Sequence, residues 1–142
     1  MGLSLLRRFL SPFELMHTAE GVLHEQVCDW LRLRHPDVLF RTDFAAGEKL
    51  SMTQAIRNKR LQKCKSWPDI FIVEPRGRYS GMFLELKKFG TVLYLRDGTF
   101  TKDTHLNAQR EVIELLEKKG YRASFAIGFE HVEQLVDNYL KG

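Results

Sequence analysis

The chain has 142 residues, enough for one domain with a sizeable core and too few for two. With 44% apolar and 28% charged residues it has the profile of an ordinary soluble globular protein, which excludes a disordered, collagen-like or disulfide-stapled chain. A net charge of +4 is a mild excess that only hints at an anionic partner, and no apolar run approaches the roughly 20 residues that cross a bilayer.

The opening Met1-Gly-Leu-Ser-Leu-Leu-Arg-Arg8 places its arginines after the apolar residues, so it does not read as a secretory signal, and Leu6 breaks the myristoylation pattern. Cys28 and Cys64 stand far apart without CxxC spacing, which argues against a zinc or redox motif. Two free thiols suit a reducing cytosol, so a cytoplasmic location is expected. Residues 1–16 are apolar and basic and form a short lead; residues 17–142 read as a single domain.

From Thr18 the pattern is helical, with Leu23, Val27, Trp30 and Leu31 on one stripe, and the helix stops before Pro36. Residues 37–43 are β-prone, residues 44–49 are loop, and residues 52–64 form a second helix capped by Ser51. Its far end carries Arg57, Lys59, Arg60, Lys63 and Lys65, five cations in nine residues. Such a run is either a solvated helix face or a set of phosphate contacts. Two strands follow, Asp69–Glu74 and Gly81–Lys87, paired antiparallel through the turn at 76–81. Asp97-Gly98 marks a hairpin within 91–101. A helix over 104–119 closed by Gly120, a strand over 121–127 and a helix over 130–140 complete the chain. The order predicts an α/β fold, a mixed β-sheet flanked by helices.

Chemistry concentrates in Trp67-Pro68-Asp69 and Glu85-Leu86-Lys87. On a strand, side chains two apart share a face, so Glu85 and Lys87 point together, away from Leu84 and Leu86 on the core side. Asp69 opens the neighbouring strand, so an Asp and a Glu converge at one end with a lysine beside them. Two close carboxylates repel, and a hard divalent cation relieves that repulsion. Such a cation polarises a phosphoryl oxygen and activates water, while the lysine steadies developing charge, a combination suited to phosphodiester hydrolysis. The competing matches are weaker. Pro36-Asp37 is followed by Glu48-Lys49-Leu50, without lysine two residues on, and Glu117 and Lys119 would splay about 200° apart on a helix.

Glu20 falls three, seven and eleven residues before Leu23, Val27 and Leu31, so it is expected on the buried stripe. A carboxylate aimed inward needs a partner or a metal; the alternative is an acid that complements the helix dipole. Glu25, on the outward face, is held in reserve.

Together these residues resemble the core of the PD-(D/E)xK nuclease superfamily. In detail they are similar to the virus-type replication-repair nuclease (VRR-NUC) domain: an early helix with Glu20, Trp67-Pro68-Asp69-Ile70, Phe83-Leu84-Glu85-Leu86-Lys87-Lys88, and a later helix entered by His105-Leu106-Asn107-Ala108-Gln109. The resemblance runs from about residue 18 to 140. It implies a restriction-endonuclease-like core and a nuclease dependent on Mg²⁺ or Mn²⁺. Asp69, Glu85 and the Leu86 carbonyl would hold the metal, Lys87 would be the catalytic lysine, and Glu20 the helix acid near the metal. Gln109 would be a site-facing amide, against the alternative of an exposed helix glutamine. Stand-alone viral members act as dimers on branched DNA such as four-way junctions, so a homodimer in replication, recombination or repair is implied, in the host cytosol for a viral protein. The lead 1–16 is a candidate dimer contact.

Arg57, Lys59, Arg60, Lys63, Lys65 and Lys88 are the candidate DNA contacts. Trp67 is expected to pack and position Asp69. Tyr94 and Phe100 either stack on unpaired bases or pack across the hairpin. His105 has a minor claim to the site. The rival function is a DNA-binding module with the same fold and no catalysis.

Overall fold

The computed structural model describes residues 19–42 and 51–142. The expected lead 1–16 and loop 44–49 lie outside these residues. The described elements are α1 (Ala19–Arg34), β1 (Leu39–Thr42), α2 (Met52–Leu61), β2 (Ile70–Val73), β3 (Met82–Lys87), α3 (Thr104–Lys118), β4 (Arg122–Ile127) and α4 (Phe129–Lys141). The four strands lie side by side in chain order. β1, β2 and β3 run antiparallel, with Ile70 opposite Leu84, and β4 joins β3 in parallel with Phe125 beside Glu85. The expected mixed sheet flanked by helices is the observed fold.

Helices cover both faces. On one, Leu23, Val27, Trp30 and Leu31 of α1 and Val132 and Val136 of α4 pack on Ile70, Ile72, Met82, Leu84 and Leu86. The four apolar residues of the predicted α1 stripe are therefore buried. The end of α1 is tied to α4 by His35 Nε2 and Asp137 Oδ1 at 2.9 Å. On the other face, Val112, Ile113 and Leu116 of α3 cover Phe83 and Ala123, with Phe71 and Phe125 alongside. Phe71 stacks on Phe83 with centroids 4.3 Å apart.

That second layer corrects one expectation. Glu85 and Lys87 do point away from Leu84 and Leu86, but both faces of β3 are core, and all six of its residues are buried. A strand carrying a parallel neighbour needs a crossover helix, and α3 is that helix.

The local signals explain the ends of the elements. Ser51 and Gln54 form a reciprocal capping box at α2. α2 ends at Leu61 because Gln62 is extended, so Lys63 and Lys65 follow the helix instead of riding on it as expected. α3 closes as predicted: Tyr121 N–H donates to Leu116 C=O and Gly120 N–H to Glu117 C=O, a Schellman pattern. The hairpin within 91–101 forms as a single bridge, Tyr94 to Phe100, around the expected turn at Asp97-Gly98.

Candidate active site

The site is built where β2 stops and β3 continues. Gly128 N–H donates to the Lys87 carbonyl at 2.8 Å, so that carbonyl faces β4. Main-chain groups alternate along a strand, which turns the Leu86 N–H and C=O to the opposite side. There the Leu86 N–H donates to Asp69 Oδ2 at 2.8 Å. Asp69, the residue before β2, thus takes the ladder position that β2 has vacated, and the Leu86 carbonyl faces the same side.

On the α3 face, Gln109 Nε2 donates to Glu85 Oε1 at 2.8 Å, and Lys87 Nζ lies 3.8 Å from the same oxygen. Glu85 is 4% exposed, Lys87 6% and Gln109 6%. Gln109 is therefore the inward amide of the two alternatives. Three polar groups buried together on an otherwise apolar face is a costly arrangement.

The cost shows in the electrostatics. The Glu85 carboxyl is pushed up to about 9, first by burial, then by the negative charge of Asp69, with Glu20 adding a smaller push and Lys87 opposing it. Among the described residues, Glu85 Oε2 and Gln109 Oε1 are buried without a hydrogen-bond partner. Two carboxylates, a carbonyl on the same side and orphaned buried oxygens make an all-oxygen donor set. That set fits a hard cation such as Mg²⁺ or Mn²⁺, which binds a few protein oxygens and keeps several waters. Among the described residues no three His, Cys, Asp or Glu side chains gather into one cluster.

Glu20 therefore differs from its expectation. It is exposed in the first turn of α1, where the buried stripe begins only at Leu23. It does not join Asp69 and Glu85 in a ligand group, although its charge reaches Glu85. Glu25 is also exposed, and its charge is felt at Cys28. Arg57, Lys59, Arg60, Lys63, Lys65 and Lys88 are all exposed, and α2 buries no residue. His105 is exposed in the first turn of α3. Trp67 packs on Phe83 at 5.7 Å, the packing place expected of it.

Two features had no advance signal strong enough to find them. Gly128, with φ +80, pins the end of β3 through its N–H, and a Cβ there would touch Phe89 at 3.4 Å. Asp69 binding the Leu86 amide depends on β2 being shorter than β3. A glycine between a strand and a helix, at Ile127-Gly128-Phe129, was the only visible mark of the first.

No family model matches the chain, and none of the curated proteins does. Among solved structures it is similar to one described as a "VRR_NUC domain protein", with 28% identity and a TM-score of 0.58, covering 86% of this chain and 88% of that one. This likeness, over nearly the whole of both chains, supports a VRR_NUC-type domain on an α/β fold.

Proposed function

We propose that this chain is a metal-dependent endonuclease that hydrolyses DNA phosphodiester bonds, selective for branched DNA. The observation that carries the reading is Glu85, Lys87 and Gln109 buried together against Asp69 at the open end of β3. A fold does not need ionic groups there, and a structural role would be better served by apolar residues. The similarity to a VRR_NUC domain protein supports the same class of chemistry.

Asp69, Glu85 and the Leu86 carbonyl would hold Mg²⁺ or Mn²⁺, which when bound supplies Lewis-acid polarisation of the phosphate and activation of water. Lys87 presents a fixed positive charge where negative charge grows on the phosphate. Its position against Glu85 limits its motion, so little reorganisation is needed. Gln109 fixes one oxygen of Glu85 and leaves its own Oε1 to accept a hydrogen bond from a water. Glu20 adds negative charge at the rim. Arg57, Lys59, Arg60, Lys63, Lys65 and Lys88 are exposed cations suited to the DNA backbone.

One chain carries one such site, and cutting two strands at a junction takes two, so the assembly of this reading is a homodimer. Among the described residues no helix is long and apolar enough to cross a membrane.

The test is cleavage of labelled four-way junction, flap, single-stranded and duplex DNA with Mg²⁺, Mn²⁺ or EDTA, using the wild type, Glu85→Ala and Lys87→Ala. The reading expects metal-dependent cutting that both variants abolish while DNA binding persists. Tight junction binding without any cutting by the wild type would make the chain a binding module instead.

A further inference from the structure

The segment from Lys88 to Asp103 joins the strand that carries Glu85 and Lys87 to the helix that carries Gln109. It therefore borders the site, and it holds apolar side chains out in water. Phe89 is 90% exposed and Tyr94 60%, with Val92 also exposed.

The backbone under Phe89 and the ring of Tyr94 are both held in place. Thr91 returns both its N–H and its Oγ1 to the Lys88 carbonyl, at 3.2 and 2.8 Å. This closes a tight turn with Phe89 in second place and Gly90, at φ +90, in third, the pattern of a type II turn. Phe89 is backed by Gly128, whose hypothetical Cβ would touch both the Phe89 backbone and its ring base. Tyr94 meets Phe100 edge-on at 5.6 Å, and Phe100 packs 6.0 Å from Phe125, the neighbour of Glu85 across the β3–β4 pair. Arg110, next to Gln109, lies 4.6 Å over the Phe100 ring. This aromatic chain thus runs from beside Glu85 out to Tyr94 at the surface.

The surrounding charge suits an anionic ligand with ring faces. Lys88, Arg96 and Lys102 are exposed along the same segment. Its two acids are already engaged: Asp97 accepts from Thr99, and Asp103 caps α3 by accepting from the Leu106 N–H. Aromatic faces interleaved with cations are the pattern that binds unpaired nucleotides.

We propose that Phe89 and Tyr94 are stacking platforms for unpaired bases of the strand entering the site. The preferred branched substrate then carries splayed bases next to the scissile phosphate, as in a flap or a splayed arm. An intact duplex keeps its base faces covered and gains nothing from the platforms. This inference rests on the nuclease reading and deepens it by naming the substrate class.

The test measures binding of a fluorescently labelled oligonucleotide, single-stranded and as duplex, to the full chain in EDTA. Flap cleavage in Mg²⁺ and sedimentation are run beside it. Phe89→Ala and Tyr94→Ala should each lower the single-strand to duplex affinity ratio about tenfold, Phe89→Trp should retain it, and Leu115→Ala on the exposed face of α3 should not change it. Cleavage by the wild type with an unchanged ratio in both alanine variants would overturn the platforms while leaving the nuclease reading intact. Equal losses on single strand and duplex would also overturn them, as would a wild type that binds no DNA. So would conversion of a dimer to a monomer by Phe89→Ala, which would make this surface a contact between copies. Absence of cutting by the wild type, with the ratio shifted as expected, would support the platforms and count against the nuclease reading alone.

Discussion

The two faces of β3 are both buried and chemically different. Met82, Leu84 and Leu86 face α1 and α4 in an unbroken apolar layer. On the α3 side the strand begins the same way, with Phe83 stacked on Phe71, and then turns ionic at Glu85 and Lys87. The first face shows what the strand does for folding. The second departs from it only at the end where β2 has stopped and Asp69 and Gln109 converge. Such a local break in an otherwise consistent core is where function is expected.

Substitutions on the two faces should therefore separate activity from stability. The largest effect is expected from Glu85→Gln: cleavage falls by about a thousandfold or more, while the metal-free protein becomes more stable near neutral pH because folding no longer has to protonate a buried carboxylate. A thermal melt and a single-turnover assay on the same sample would show both, and equal loss of stability and activity would contradict the contrast. On the apolar face, Leu84→Ala should cost about 3 kcal/mol by denaturant unfolding, with normal turnover in the fraction that remains folded. A turnover defect matching that of Glu85→Gln would mean that the faces are not functionally distinct.

The contrast also has a pH signature. The Glu85 carboxyl moves from 4.5 to about 9 on folding, chiefly through burial. Between those values the folded, metal-free chain keeps a proton that the unfolded chain has lost, so stability falls as pH rises through that window. A divalent cation binds the ionised form and offsets the loss. Melting temperatures in EDTA should therefore decline from about pH 5 to 9, the decline should shrink in millimolar Mg²⁺, and Glu85→Gln should flatten it. Gly128→Ala should act more mildly, by about 1 kcal/mol, through a positive φ and contact with Phe89. It should loosen the turn after β3, visible as faster amide exchange at Thr91.

Much of this contrast was legible in the sequence. The alternation along Gly81–Lys87 separates Glu85 and Lys87 from Leu84 and Leu86, and the antiparallel pairing with β2 brings Asp69 alongside. Gln109 entered only through a family resemblance, because helix position alone does not say which side of α3 meets the sheet. Glu20 shows the limit of a periodic stripe. Spacing fixes a residue's angle around the helix, but not where the covering layer ends, and here it ends at Leu23. The early stop of α2 at Leu61 was hidden for a similar reason: lysines and arginines favour helix equally well inside it and beyond it. The burial of Glu85 depends on α3 crossing over to β4, a long-range event that no local pattern records.

The most direct test of the central claim, that Asp69 and Glu85 are placed together to hold a hard cation, is calorimetric titration of the metal-free chain with Mg²⁺ or Mn²⁺ at pH 8. The account predicts binding that weakens at least tenfold in Asp69→Asn and in Glu85→Gln, with both variants folded by circular dichroism. Undiminished binding in both variants would contradict it.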